Sequence, residues 1–300
     1  MAVGVFTWTE FAQQIAAGVR EGAIYAGLAL ALVIIYRSTR VINFAQGEMA
    51  TFTTFIAWSL MNHGLSFWAA FPIVLAIAFT GGVAIERVLI RPVENASVIT
   101  IVIVTLGLAL LLNGLMSLIW GGSNRQFHGP FSTRTIDVGG VPISVQDIGI
   151  VVTSLALVAV LGLFFRYTKL GLALRASAVN PDSSRLVGVR VGWMLAFGWG
   201  LAAVLGAVAG MMVAPVVFLD PNMMQTILLY AFAAAVLGGL DSPVGAVVGG
   251  LLLGVTITLL GRYVGFVGSA LKLPAALLLI LLLLLVRPGG LFGRVAVRRV

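Results

Sequence analysis

Long runs of apolar residues recur along the whole chain, separated by short polar stretches that hold most of its charges. Runs of about 18 or more residues can cross a hydrocarbon layer of roughly 30 Å as helices. The almost continuous leucine from Leu271 to Val286 shows the pattern best. The runs predict nine spans, at approximately residues 15–36, 43–62, 67–90, 98–120, 147–166, 193–213, 224–240, 244–261 and 268–287. The very short turn from Leu240 to Pro243 leaves open an alternative of eight spans, with one segment re-entrant or interfacial.

The composition supports the same class of protein. Hydrophobic residues make up 60% of the chain and charged residues 9%, whereas soluble proteins average about 25% charged residues. Barrel strands would alternate apolar and polar residues over about ten positions, a pattern that this sequence lacks. We therefore predict an all-α fold, a polytopic integral membrane helix bundle of about eight or nine spans, in which residues 1–300 form a single transmembrane domain.

The basic residues predict the orientation of the bundle, because cytoplasmic loops carry an excess of Lys and Arg. Placing the N-terminus outside puts five basic residues outside and thirteen in the cytoplasm, with the C-terminus inside. The outer group contains Arg20, Arg125, Arg134, Arg262 and Lys272. The inner group contains Arg37, Arg40, Arg87, Arg91, Arg166, Lys169, Arg175, Arg185, Arg190, Arg287, Arg294, Arg298 and Arg299. Since most basic residues lie at helix ends, the net charge of +8 indicates lipid headgroups rather than nucleic acid as the partner.

Several kinds of chemistry are excluded or disfavoured by the sequence. The chain has no cysteine, so disulfides, thiolate catalysis and cysteine-ligated zinc are ruled out. His63 and His128 lack metal-ligand spacing, and no GxSG motif accompanies the Gly-Ser pairs at 122–123 and 268–269, so we predict no metal site and no enzyme. The first residues lack the basic segment of a signal peptide, which indicates that the first span is retained.

Two loops exceed tight-turn length. Residues 121–146 are rich in Gly, Ser and Pro and are expected outside, whereas residues 167–190 are expected in the cytoplasm. Within the second loop the sequence predicts a helix from Leu170 to Val179 and a shorter one that ends before Gly188, with Asp182 or Ser183 as its cap. Small residues there would let another protein approach closely. An ordinary amphipathic connector fits the pattern equally well.

This second loop carries a resemblance to a known family. Its sequence KLGLALRASAVNPDSSRLVGV resembles the cytoplasmic coupling loop of permease subunits of branched-chain amino-acid ABC importers, of the LivH type. Further segments in the same order are similar to that family: VINFAQGEMAT at 41–51, IERVLIRPV at 85–93, AAVLGGLDSPVGAVVGGLLLG at 234–254 and RPGGLFG at 287–293. Gln46 stands where many relatives carry histidine, and Ser184 replaces a commoner alanine.

The resemblance implies a transport subunit that depends on other proteins. It implies a homologous second permease, two ATP-binding subunits, an external solute-binding protein and a location in the bacterial cytoplasmic (inner) membrane. Residues implied to couple to the ATPase are Gly171, Arg175, Ala176, Ala178, Asn180, Pro181, Asp182, Arg185 and Gly188. Neither Lys169 nor Lys272 follows a GxxxxG phosphate loop, so ATP and Mg would be bound by the partner subunits, with no cofactor in this chain.

The implied cargo is a branched-chain or related amino acid. A permease for urea or short amides stays open as an alternative. An ATP-independent secondary transporter also fits the hydropathy, although only Glu48, Asp220 and Asp241 could serve as coupling acids.

Two further sets of residues are candidates for specific roles. Asn43, Gln46 and Glu48 would line or gate the pathway, or else form a helix cap and an interhelical hydrogen bond, which the sequence favours slightly. Glycines spaced four apart predict close helix packing at Gly206, Gly210, Gly245, Gly249, Gly250 and Gly254. Glu86, Arg87 and Arg91 are interpreted as an interface anchor.

Overall fold

The structure, a computed structural model, describes residues 7–268 and 270–293. Within these ranges the chain forms eleven α-helices and one short hairpin. The helices are α1 Trp8–Thr39, α2 Gln46–Asn62, α3 Phe67–Ile85, α4 Val98–Trp120, α5 Val145–Tyr167, α6 Lys169–Val179, α7 Pro181–Leu186, α8 Val191–Val217, α9 Gln225–Gly238, α10 Pro243–Tyr263 and α11 Lys272–Val286. The α3 helix continues as a π-helical turn, Glu86–Ile90, and a 3₁₀ turn, Arg91–Val93.

Each of the nine predicted spans coincides with one helix, which confirms the helical membrane fold. In the part of the chain that the structure describes, six helices are long and apolar enough to cross a membrane: α1, α3 with its two added turns, α4, α5, α8 and α10. The three remaining predicted spans correspond to shorter helices: α2, α9 and α11 have 17, 14 and 15 residues. At 1.5 Å per residue a 14-residue helix spans only about 21 Å, less than the hydrocarbon core.

The α1 helix forms the centre of the bundle. Of its most apolar stretch 83% is buried, compared with 17% for α4 and 22% for α5. The α10 helix packs along α1 most extensively, and α8, α5 and α9 surround it. The α4 and α5 helices therefore present most of their apolar side chains outwards, as expected for surfaces that face lipid.

The two predicted groups of basic residues lie at opposite ends of the bundle. At the end that carries the hairpin, Arg20 pairs with Asp147 at 2.9 Å and Arg262 with Glu10 at 3.2 Å. At the end that carries α6 and α7, Arg40 pairs with Asp241 at 2.7 Å. We call these the hairpin end and the α6–α7 end. Arg294, Arg298 and Arg299 lie outside the described residues, as do Ser269 and the first six residues.

The predicted outer loop contains a strand pair that the sequence analysis did not anticipate. Strands β1, Thr135–Val138, and β2, Val141–Ser144, pair antiparallel with Val138 opposite Val141. Gly139 and Gly140 make the turn with φ of +64° and +84°, which glycine adopts without a steric cost. The loop also pairs with the segment after α8 through an isolated bridge between Arg125 and Leu219. This bridge holds the loop against the segment that follows α8.

Candidate functional site

The α6–α7 segment, residues 168–188, folds as two consecutive short helices. The Thr168 side chain accepts a hydrogen bond from the Gly171 backbone N–H at 2.9 Å and starts α6. Asn180 ends α6, and its side-chain oxygen accepts from the Ser183 N–H at 3.0 Å to start α7. The prediction of Asp182 or Ser183 as the cap was wrong, because the residue before Pro181 is held extended and its amide side chain reaches the free N–H. Gly188 follows the end of α7 with φ of +84°.

The structure separates the predicted coupling residues into two groups. Gly171 packs α6 against the end of α5, since an added Cβ would lie 2.6 Å from the Phe165 Cα atom. Arg175 and Ala178 are half-buried and line cavities beside α1. The remaining six are exposed: Ala176, Asn180, Pro181, Asp182, Arg185 and Gly188. The first group holds the segment on the bundle, and the second group is accessible to another protein.

Apolar side chains on the same segment are strongly exposed, and the sequence analysis did not single them out. Leu172 is 60% exposed, Val179 75%, Leu186 88% and Val187 78%. They lie at the end of the bundle that is rich in arginine, so a position in the hydrocarbon layer does not account for their exposure. An apolar patch with a polar surround is typical of a protein–protein interface. The signal available in the sequence was the adjacent apolar pair Leu186 and Val187 at the end of a short polar helix.

Arg37 of α1, Arg40 directly after α1 and Arg175 of α6 line one cavity at the α6–α7 end. A cavity of about 820 Å³ is lined there by Arg37, Arg40, Arg175, Asp241 and Phe292 among others. Arg40 and Asp241 of this lining form an ion pair, and their side chains are 62% and 47% exposed. The cavity thus connects the first span, the α6–α7 segment and the turn between α9 and α10.

At the end of α3, the predicted anchor residue Arg87 contacts α8, and its role as an anchor at the membrane interface stays a prediction. The Arg87 guanidinium lies over the Trp193 ring, 3.7 Å from its centroid. Trp193 is in the first turn of α8, directly after the α6–α7 segment. Glu86 is 1% exposed and lies within the π-helical turn. The Arg87–Trp193 contact therefore links the end of α3 to the start of α8, which follows α7 in the chain.

The predicted pathway residues are all buried. Asn43 is 1% exposed, Gln46 0% and Glu48 8%. Gln46 Nε2 donates to the Ala202 carbonyl of α8 at 2.8 Å, and Asn43 donates to Gln46 Oε1 at 3.2 Å. Asn43 also accepts from the Ala45 N–H at 3.0 Å, which shapes the entry into α2. The predicted interhelical hydrogen bond is confirmed, and a gating role stays a prediction.

The two other acids named as coupling candidates serve at the ends of the bundle. Asp241 pairs with Arg40, and Asp220 accepts from the Asn222 N–H at 2.7 Å. Across residues 7–268 and 270–293, no group of three or more His, Cys, Asp or Glu side chains could hold a metal ion.

The spaced glycines lie at three helix contacts. Gly206 and Gly210 face α2, where added Cβ atoms would meet Gln46 and Thr54. Gly245 and Gly249 face α9, against Gly238 and the Ala234 carbonyl. Gly250 and Gly254 face α1, against Ala26, Gly22 and Gly18. In each case the neighbour is too close for a side chain, so the glycines permit the observed backbone approach.

A second polar cavity lies at the hairpin end and was not identified from the sequence. It has a volume of about 210 Å³ and lies between α1, α8, α9 and the start of α11. Its polar lining is Arg20, Glu21, Tyr25, Tyr230 and Lys272. The signal in the sequence was the Arg20–Glu21 pair inside an apolar span, since charged residues in such positions are usually functional.

Comparisons with known proteins agree on one family. A family model described as branched-chain amino acid transport system / permease component matches residues 14–286. The chain is 32% identical to the high-affinity branched-chain amino acid transport system permease protein LivH of Salmonella typhimurium, over 97% of this chain and 98% of that protein. It is 31% identical to LivH of Escherichia coli K12 and to BraD of Pseudomonas aeruginosa, with the same coverage.

Proposed function

We propose that this chain, which belongs to the family of branched-chain amino acid transport permeases, forms half of the membrane pathway of an ATP-driven importer. Family membership and the apolar helices support a multi-pass subunit of the bacterial inner membrane. The names of the relatives indicate a branched-chain or related amino acid as the cargo. The other half of the pathway would be a homologous second permease.

ATP would be hydrolysed by two separate subunits. Neither lysine of this chain follows a phosphate-binding loop, so an ATP-driven role requires partners that bind ATP and Mg. An external solute-binding protein would deliver the amino acid. The distribution of charge supports an orientation with the α6–α7 end in the cytoplasm, since that end carries ten of the thirteen basic residues predicted there and the other three follow residue 293.

The exposed α6–α7 segment is the observation that carries the proposal. It presents Leu172, Val179, Leu186 and Val187 to the solvent at the arginine-rich end, beside exposed Ala176. Covering these side chains with a groove of an ATPase would remove apolar surface from water, at about 25 cal/mol per Å². The small Ala176 side chain would allow the groove wall to approach the helix.

Force applied to the segment would reach the bundle through both of its ends. Gly171 packs α6 on α5, and α7 leads into α8, whose Trp193 holds Arg87 of the π-helical turn after α3. A push on α6 and α7 therefore displaces α5, α8 and the end of α3 together. Binding of ATP and substrate can shift the population between an outward-open and an inward-open conformation only if the free energies of the two conformations lie within a few kcal/mol of each other.

The substitution Ala176→Arg tests this function, with Ala96→Arg as its matched control. Both alanines are exposed, and Ala96 lies in the loop between α3 and α4, outside the α6–α7 segment. In proteoliposomes containing the complete transporter, Ala176→Arg should abolish ATP-driven leucine uptake without lowering the amount of this subunit in the membrane. Ala96→Arg should transport like the wild type.

Two results would contradict the proposal. Normal uptake by Ala176→Arg would show that α6 does not dock into the ATPase. Leucine transport by the purified chain alone, without any ATP-hydrolysing subunit, would instead identify a secondary transporter.

A further inference from the structure

The cavity at the hairpin end combines charges of both signs with an apolar wall. Glu21 supplies a carboxylate, and Arg20 and Lys272 supply two cations. Ile24, Val213 and Ile227 supply aliphatic surface, and all three are buried. Since one water occupies about 30 Å³ of the liquid, the 210 Å³ cavity has room for roughly seven waters. This is the scale of one small amino acid rather than of a peptide.

The cation of Arg20 is already partly neutralised, whereas that of Lys272 is not. Arg20 Nη1 lies 2.9 Å from Asp147 Oδ1 and Nη2 lies 3.7 Å from Glu21 Oε1. Among the described residues Lys272 has no carboxylate within 4.0 Å, and its aliphatic stem lies against Gly261 of α10. The ammonium group of Lys272 is therefore available to an anionic group in the cavity.

Glu21 likewise has capacity for a cationic ligand. Its Oε2 accepts only long hydrogen bonds, from the Tyr25 hydroxyl at 3.5 Å and from the Thr258 hydroxyl at 3.3 Å. Its Oε1 faces Arg20 at 3.7 Å without a hydrogen bond. An ionised carboxylate offers about four acceptor positions, so a ligand ammonium would find a vacant one.

Two stacked tyrosines complete the cavity beside Glu21. The rings of Tyr25 and Tyr230 lie 5.1 Å apart with an interplanar angle of 23°. Aromatic faces attract cations, so they favour an ammonium group near the Glu21 side of the cavity. Charged groups of both signs, two aromatic rings and aliphatic side chains thus share one lining.

We propose that this cavity is a substrate subsite for a zwitterionic aliphatic α-amino acid. Lys272, with Arg20, holds the α-carboxylate, and Glu21 holds the α-ammonium beside the tyrosine rings. The aliphatic side chain of the ligand packs on Ile24, Val213 and Ile227. The assignment rests on the proposed transport function and narrows it, because a neutral amide or urea would leave the charges of Glu21 and Lys272 unmatched.

Cysteine protection tests the subsite directly, because the chain has no cysteine of its own. Val217 lines the cavity and is 42% exposed, so Val217→Cys should accept a maleimide without disturbing the core. His63→Cys is the matched control, since His63 is exposed and does not line the cavity. The complete transporter in nanodiscs, without binding protein, would be labelled in the presence of leucine, leucinamide, 4-methylpentanoate or urea.

We expect leucine to protect Val217→Cys and to leave the labelling of His63→Cys unchanged. Leucinamide and 4-methylpentanoate each lack one charge of leucine and should need about tenfold or more higher concentrations. Adding Glu21→Gln or Lys272→Met to Val217→Cys should raise the half-protecting leucine concentration by a similar factor. Methionine at position 272 keeps an unbranched apolar side chain of similar length and removes only the charge of Lys272. Arg262→Gln, whose partner Glu10 lies outside the cavity, should change nothing.

The outcomes separate the subsite from the transport function. If leucine gives no protection, or protects no better than urea, while the same transporter with its binding protein accumulates leucine with ATP, the subsite is rejected and the proposed function stands. If leucine protects as expected but no ATP-driven uptake occurs, the subsite stands and the proposed function is rejected.

Discussion

Replacing Gly250 by alanine should separate the central helix from its main neighbour. A Cβ atom built on Gly250 would lie 2.5 Å from the Ala26 nitrogen and 2.6 Å from its Cα atom. Carbon atoms in contact prefer about 3.5–4.0 Å, so α1 and α10 would have to move apart by about 1 Å. Overpacking of a well-packed core costs about 1–3 kcal/mol, and the upper half of that range is expected because the obstacle is backbone.

Gly107→Ala is the matched control for this change. Gly107 lies in α4, and among the described residues nothing comes within 4 Å of its added Cβ. Alanine should therefore stabilise α4 by up to about 1 kcal/mol through its higher helix propensity. The free energy of unfolding by SDS in mixed micelles measures both variants. The packing argument is refuted if Gly250→Ala is as stable as the wild type, or if Gly107→Ala loses as much.

Three further substitutions probe individual contacts. Gln46→Leu removes the 2.8 Å hydrogen bond to the Ala202 carbonyl and should lower the free energy of unfolding by about 1 kcal/mol; no change would mean that the bond contributes nothing net. Asn180→Ala removes the cap of α7 and should speed amide exchange there by a factor equivalent to about 1 kcal/mol, while global stability is kept and Asn180→Asp exchanges like the wild type. Trp193→Leu removes the ring under Arg87 and should cost about 1–2 kcal/mol in SDS unfolding, more than Trp193→Phe; equal losses would argue against a cation–π contribution.

The spans could be predicted from the sequence because an apolar run dictates a helix in lipid. The exact ends of the helices could not be predicted as well from the sequence. The first span was predicted over 15–36, whereas α1 begins at Trp8, because the Thr7 side chain caps it at the Glu10 N–H. Hydropathy also gave no sign that α9 has only 14 residues, since its end depends on Gly239 with φ of +103°.

Features that depend on contacts distant in sequence could not be predicted. The partner of Gln46 is a backbone carbonyl 156 residues away, and Arg87 meets Trp193 through folding of the whole bundle. Within α6, the spacing predicted a helix correctly but not which face would be exposed. Gly171 was grouped with the docking residues, whereas the structure packs it against α5. Only tertiary packing separates the two faces of so short a helix.

The central position of α1 has a consequence for biogenesis. This helix is synthesised before the other ten described helices, and α10, the neighbour that meets Gly18, Gly22 and Ala26, follows about 200 residues later. At about 5–20 residues per second, the interval is on the order of 10–40 s. During this interval the small residues Gly18, Gly22 and Ala26 and the Arg20–Glu21 pair lack their contacts with α10 and α11. We therefore expect the membrane insertion machinery to retain α1 until the last helices are inserted.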